Sequence, residues 1–266
     1  MPDEVMLSEE WFVSLSGVKL FVKKIFPKEN IDSQFPVMVF LHEGLGSIDQ
    51  WKGFPEKLVK ATGSPALVYD RLGYGKSSPL TEERQLDYIH KEEVLFRKLL
   101  HQLNIKSYFL IGHSEGGSLA LIHAAQHPKG LLKVVTLAAN TRLEAKVKPS
   151  ILSVVKQYEK ENSKLKQALA KYHGEKTDAV FYAWSKTWTS DFFTSWNIID
   201  ELKQIEVPLL AFHGKNDQYT SLFQMENIRK YVSGPKSLHV MDNCSHHPHF
   251  DHEKEVIEAI NNFLKS

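Results

Sequence analysis

Three residues far apart in this 266-residue chain, Ser114, Asp217 and His246, have the types and local settings for acyl transfer. Ser114 lies in Gly112-His113-Ser114-Glu115-Gly116, between the apolar run "SYFLIGH" (107–113) and the apolar helix pattern "SLALIHAA" (118–125). A serine presented on a sharp turn from a buried strand into a helix has strained backbone angles. The residues two before and two after it must then be small enough not to clash with it or with neighbouring strands. The helix opening there aims unpaired N–H groups and its positive dipole end at the point where a substrate oxygen would gain negative charge. The same letters also suit an ordinary glycine-rich bend, so the serine needs partners. A hydroxyl is a weak nucleophile until a base takes its proton, and the base needs a carboxylate to orient it. Asp217 in "LLAFHGKND" and His246 in "VMDNCSHHPH" supply these types in loops after successive apolar runs, past the strand ends where ligand and catalytic groups of open sheets collect. Alone, Asp217 would also serve to cap a helix starting near Thr220, and His246 is one of four clustered histidines with His247, His249 and His252.

The elements that must position these residues are legible in the pattern. "WFVSLSGVKLFVKKIF" alternates apolar and polar residues on both sides of "SGVK" and predicts an antiparallel hairpin. Six short apolar runs follow, at 36–42, 65–70, 107–113, 133–139, 208–214 and 237–242, each read as a strand buried on both faces. Helix-period stretches such as 86–105 and 255–264 lie between most of them, which predicts right-handed crossovers and a mostly parallel sheet covered on both faces. From 141 to 206 the rhythm breaks. A Lys/Glu/Gln-rich helical stretch (153–171) precedes an aromatic segment containing Phe181, Tyr182, Trp184, Trp188, Phe192, Phe193 and Trp196. The expected organisation is a core domain of 1–140 and 207–266 with a helical cap at 141–206, whose aromatics are divided between packing and pocket wall.

Strand, G-H-S-x-G-G, helix, insertion, H-G-x-x-D (213–217) and H-x-P (246–248), in that order, resemble the α/β-hydrolase fold family from about residue 15 to the C-terminus. "DRLGYGKSS" (70–78) looks like that family's D-x-x-G-x-G-x-S loop, and "FLHEGLGS" (40–47) like its oxyanion loop. The resemblance implies an α/β fold with a mostly parallel, twisted sheet of about eight strands, helices on both faces and a small helical cap after strand 6. It assigns Ser114 as nucleophile, Asp217 as acid, His246 as base, and the backbone N–H groups of Gly44 and Glu115 as the oxyanion hole. This chain departs from the pattern at Glu43 and Ser245, where glycine is usual, and at Glu115, whose side chain is charged. Glu43 is expected to serve a structural donor, because an unpaired carboxylate beside an oxyanion would oppose catalysis.

Serine at 114 disfavours the dehalogenase and epoxide-hydrolase branches, which carry aspartate there. The expected activity is hydrolysis of a small-molecule carboxylic ester or lactone. A C–C bond hydrolase of a ring-cleavage diketone or a thioesterase would use the same triad, and a noncatalytic receptor or scaffold is the reading outside enzymology. A metal site in "HHPHFDHE", from His247 and His249 with Asp251 or Glu253, lacks a distant second ligand group, so neither metal nor cofactor is expected. Thirty-three basic against 32 acidic residues give a charge of +1, with no global field for nucleic acid or an anionic membrane. One cysteine, Cys244, excludes an intramolecular disulfide, and no apolar run approaches the ~20 residues that span a bilayer. A cytoplasmic protein acting on a small molecule is the expectation, with the oligomeric state not legible.

Overall fold

The structure is a computed structural model that describes residues 6–28 and 35–266. Eight strands form one sheet: β1 (Met6–Leu15), β2 (Val18–Pro27), β3 (Val37–Leu41), β4 (Ala66–Tyr69), β5 (Tyr108–His113), β6 (Leu131–Leu137), β7 (Leu209–Gly214) and β8 (Lys236–Met241). Their order is β1-β2-β4-β3-β5-β6-β7-β8. The expected hairpin pairs β1 with β2, β2 meets β4 antiparallel, and every later pairing is parallel.

Because successive strand residues point to opposite faces, the central strands feed two separate cores. Val39, Leu41, Leu110 and Val134 pack with α2 (Tyr88–Gln102) and α3 (Glu115–Ala124). Met38, Phe40, Phe109, Ile111 and Val135 pack on the other face with α1 (Phe54–Thr62) and with Val256 and Ile260 of the C-terminal helix. The run at 237–242 behaves differently from expectation. β8 closes the sheet edge with nothing beyond it, and only Met241 of its residues is fully buried.

Four helices connect β6 to β7: α4 (Val147–Tyr158), α5 (Lys164–His173), α6 (Thr177–Thr189) and α7 (Ile199–Gln204). The stretch expected as one helix over 153–171 is two. Asn162 takes a positive φ of 57°, and Ser163 starts the second helix by accepting a hydrogen bond from Lys166 N at 3.1 Å. The connection is fastened to the core by polar contacts. His173 Nδ1 accepts from Gly75 N (3.1 Å), which leaves Nε2–H to donate to the Leu45 carbonyl (2.9 Å). Lys146 donates to the carbonyls of Asp217 (3.1 Å) and Thr220 (2.7 Å). After β7 come α8 (Phe223–Tyr231), α9 (Pro248–Asp251) and α10 (Glu253–Lys265). Among the described residues no helix is long and apolar enough to cross a membrane.

Backbones pack very closely where α3 leaves β5. A Cβ on Gly116 would stand 2.0 Å from the Leu41 carbonyl oxygen, and one on Gly112 2.4 Å from the Gly116 carbonyl. Both obstacles are backbone, so α3 would have to lift off the sheet to admit a methyl group. We therefore expect Gly116→Ala to destabilise the protein by about 2–3 kcal/mol, the upper range of overpacking. Urea unfolding checks this, and an unchanged midpoint would show that α3 yields freely.

Candidate active site

Ser114 stands at the break between β5 and α3 with φ 52° and ψ −117°, a backbone conformation that L-residues rarely adopt. The strain is held by its own amide, which donates to the Leu137 carbonyl of β6 at 2.8 Å. His246 lies between β8 and α9, and its Nε2 is 2.8 Å from Ser114 Oγ. Its Nδ1 is 2.6 Å from Asp217 Oδ2. A carboxylate only accepts, so Nδ1–H donates to Asp217 and Nε2 is left to receive the serine proton.

Asp217 does both things that its position suggests. Oδ1 accepts from the amides of Tyr219 (2.7 Å) and Thr220 (3.0 Å), closing the turn, while Oδ2 accepts from His246 and from Thr220 Oγ1 (3.1 Å). The helix that follows starts at Phe223, three residues later than expected. Burial alone would raise the Asp217 pKa, but the hydrogen bond and charge of His246 and the Thr220 amide outweigh it and hold the carboxyl well below the usual range.

Two further histidines, the first letter of H-G-x-x-D and the second of G-H-S-x-G-G, support this row, although the sequence assigns neither a role. His113 Nε2–H donates to the His246 carbonyl at 2.8 Å, and burial keeps its ring neutral. His213 lies 3.4 Å from Asp217 Oδ2, with its pKa pushed down to about 4 by burial. Ser245 needs no glycine: its φ is not positive, and its amide donates to Asp251 Oδ2 at 2.6 Å. His249 of the histidine cluster packs against Trp51 and Phe54, with both ring centroids at 5.3 Å.

Gly44 lies against the side chains of Glu115 and Trp184. A Cβ on Gly44 would fall 2.6 Å from the Trp184 ring and 3.0 Å from Glu115 Oε2, so glycine is what lets the loop after β3 pass under the cap. Among the described residues neither the Gly44 amide nor the Glu115 amide has an acceptor. Glu43 gives one carboxylate oxygen to the Leu45 amide at 2.8 Å, the structural donor expected for it, and burial raises its pKa. A cavity of about 100 Å³ opens onto Ser114, walled by Leu45, Val147, Ile151, Trp184, Trp188 and Tyr219. Of the seven aromatics between 181 and 196, only Trp184 and Trp188, one turn apart on α6, reach it. Phe181 instead stacks on Tyr158 (3.6 Å) and Phe193 on Trp196 (5.5 Å).

The Glu115 side chain turns away from the chemistry into a buried cluster of charge. Oε1 accepts from Arg71 Nη1 at 2.8 Å, Oε2 accepts from Trp188 Nε1 at 3.0 Å, and Arg84 Nη1 is 3.9 Å away. Arg71 also pairs with Glu92 and donates to the Glu43 carbonyl at 3.0 Å, and Arg84 stacks its guanidinium on the Tyr88 ring at 4.6 Å. Two guanidinium and two carboxylate groups thus meet with almost no solvent. Burial opposes ionisation of Glu115, but Arg71 and Arg84 prevail and bring its pKa down to about 2. Sequence pattern misses these partners because Arg71 and Arg84 sit in loops where charge is ordinarily solvated. A depressed carboxylate adds stability that is present above its unfolded pKa near 4.5 and lost as pH falls toward 2. Glu115→Gln leaves two buried guanidinium groups facing one carboxylate, and we expect it to cost about 3–5 kcal/mol at pH 7. The difference from wild type should shrink as pH falls from 4.5 in urea unfolding curves. A pH-independent difference would mean that the charge on Glu115 is not what holds the cluster.

The family model described as alpha/beta hydrolase fold matches residues 36–191. Human serine hydrolase BPHL is 26% identical over 265 residues, covering 95% of this chain and 85% of its own length. The bifunctional esterase/perhydrolase DCH of Acinetobacter calcoaceticus is 22% identical, covering 91% of this chain and 92% of its own. Among solved structures, the enol-lactonase from Burkholderia xenovorans superimposes with a TM-score of 0.74 at 18% identity, over 96% of this chain and all of that one. With the strand order, the strained serine after β5 and the cap between β6 and β7 already in place, these matches show that the chain belongs to the α/β-hydrolase fold family.

Proposed function

We propose that this hydrolase cleaves small carboxylic esters or lactones through an acyl-enzyme on Ser114. The unbroken row Asp217–His246–Ser114, with contacts of 2.6 and 2.8 Å, carries the reading. His246 Nε2 takes the Ser114 proton as Oγ attacks the carbonyl carbon, and Asp217 stabilises the imidazolium that forms. The carbonyl oxygen gains charge between the amides of Gly44 and Glu115, whose N–H groups have no acceptor among the described residues. His246 then returns its proton to the leaving oxygen, the C–O bond breaks, and water repeats the sequence to release the acid.

The position of Glu115 suits this role. Its amide is the first of α3, and the side chain that could have put negative charge beside the oxyanion is neutralised by Arg71 and Arg84. The small cavity under Trp184 and Trp188 has room for a short acyl group. Names among the relatives, a serine hydrolase, an esterase and a lactonase, support acyl chemistry without specifying the substrate.

Ser114→Ala should lower turnover of p-nitrophenyl acetate and butyrate by roughly 10⁴-fold or more while leaving the unfolding midpoint near wild type. A fluorophosphonate probe should label the wild type at Ser114 and spare the variant. Wild-type turnover by Ser114→Ala would overturn the acyl-enzyme, and a folded wild type inert toward esters, lactones and the probe would favour the noncatalytic reading. Within the ester series, kcat/KM should fall as the acyl chain outgrows butyrate.

A further inference from the structure

The cavity over Ser114 contains a carboxylate that the acyl-transfer row does not use. Glu43, half-buried in the loop after β3, lines it together with Ser114 and His246. One oxygen of Glu43 accepts from the Leu45 amide at 2.8 Å. The other, Oε1, has no hydrogen-bond partner among the described residues and keeps accessible surface. Asn140, just after β6, is in the same condition. Its carbonyl accepts from Ser118 Oγ at 2.7 Å, but its side-chain amide, on a residue only 5% exposed, has no partner among the described residues and is not fully enclosed.

The lining offers Glu43 nothing in return. No lysine or arginine lines this cavity, and its other carboxylate, Glu115, is already matched by Arg71 and Trp188. A carboxylate only accepts hydrogen bonds, and away from bulk water one without a donor is costly. Burial raises the Glu43 pKa, and neither the Leu45 amide nor the charge of His246 reverses it. The missing donor must therefore arrive with the substrate. Location sharpens the requirement, because Glu43 immediately precedes Gly44, whose amide serves the oxyanion. An uncovered negative charge there opposes the charge growing on the carbonyl oxygen. A donor on the substrate that covers Oε1 removes this opposition and gains a charge-assisted hydrogen bond. Trp184 and Tyr219, edge to face at 6.5 Å, add ring faces that also suit a cation.

We propose that Glu43 is a specificity-determining residue that selects esters whose acyl group carries an O–H or N–H donor, a hydroxyl or an ammonium, close to the carbonyl. Asn140 is the second polar contact for that substituent. The proposal rests on the acyl-enzyme reading, since the acyl carbon bonded to Ser114 Oγ stays in this cavity while the alcohol leaves with the proton from His246. Glu43 binds the donor and moves no proton.

The test compares ethyl propionate, ethyl L-lactate and ethyl L-alaninate at pH 7, which share an acyl chain length and differ in the substituent, in wild type and Glu43→Gln. Glutamine keeps an oxygen for the Leu45 amide and turns the free oxygen into a donor. The kcat/KM for the alaninate relative to the propionate should fall by about tenfold or more in the variant, because an ammonium cannot accept from that donor. The lactate ratio should fall less, because a hydroxyl can. Comparing ratios between the two enzymes cancels the intrinsic reactivity of each ester, and a merely structural role for Glu43 would lower all three esters together. The larger wild-type kcat/KM, corrected for alkaline hydrolysis, identifies which donor the site takes. A corrected value no higher for either donor-bearing ester than for the propionate, or ratios unmoved by Glu43→Gln, would overturn the proposal and leave Oε1 covered by water. That wild-type comparison decides if the variant does not fold. A preference for 2-hydroxyethyl propionate, with none for lactate or alaninate, would overturn the acyl-side assignment. If Ser114→Ala cleaves none of these esters, the outcomes bear on Glu43 alone, whereas an active Ser114→Ala removes the acyl-enzyme itself.

Discussion

Helix α3 can start at Ser114 only because two backbones come closer there than any side chain would allow. The Leu41 carbonyl of β3 occupies the place of a Gly116 side chain, and the Gly116 carbonyl that of a Gly112 side chain. With the helix pressed this far into the sheet, the chain must reverse within a single residue, and Ser114 takes up the positive φ. Such a conformation costs about 1–3 kcal/mol and persists where its surroundings over-determine it. Here β6 supplies the Leu137 carbonyl for the Ser114 amide, and Gly44, in the loop after β3, lies beside the Glu115 carboxylate. The strained turn that presents Ser114 is therefore a consequence of one packing contact.

The buried charge cluster secures what that contact creates. Glu115 is one residue past Ser114, Arg71 follows β4, Glu92 lies on α2 and Trp188 on α6, so four separate elements meet in one cluster. A buried ion pair is a weak source of net stability, because desolvation of the charges offsets most of their attraction. Its geometric effect is firmer. Arg71 also reaches the carbonyl of Glu43, so the guanidinium ties the loop after β3 to the start of α3. Trp188 ties the cap to the same carboxylate. With His173 on Leu45 and Gly75, and Lys146 on the Asp217 loop, the cap is latched at three places around the site. The cavity over Ser114 is thereby set by the latches as much as by the residues that line it.

Much of this was legible in the chain because it depends on local pattern. The apolar runs marked all of the buried parallel strands, the alternation around "SGVK" marked the hairpin, and glycine spacing marked the turn at Ser114. Misreadings arose where local pattern is blind to what lies next door. "SLHVMD" has the composition of a buried strand, yet β8 stands at the edge with most of its side chains half-buried or exposed. The stretch 153–171 keeps a helical composition through a break that Asn162 and Ser163 impose. Asp217 allowed two readings, helix cap or partner of the histidine, and its two oxygens let one carboxylate do both.

By itself, then, the sequence determined the order of elements, the family and the residue types that could transfer an acyl group, because strand periodicity, turn chemistry and motif spacing are written within a few residues of one another. Only the tertiary structure decided that His113 and His213 stand behind His246 and Asp217, and that the charge on Glu115 belongs to Arg71 and Arg84. It also separated Trp184 and Trp188 as cavity wall from Phe181 and Phe193 as packing, and placed Glu43 and Asn140 around one cavity with Ser114. These pairings join residues tens to more than a hundred positions apart. Their energies depend on distance and burial in three dimensions, which no spacing along the chain encodes.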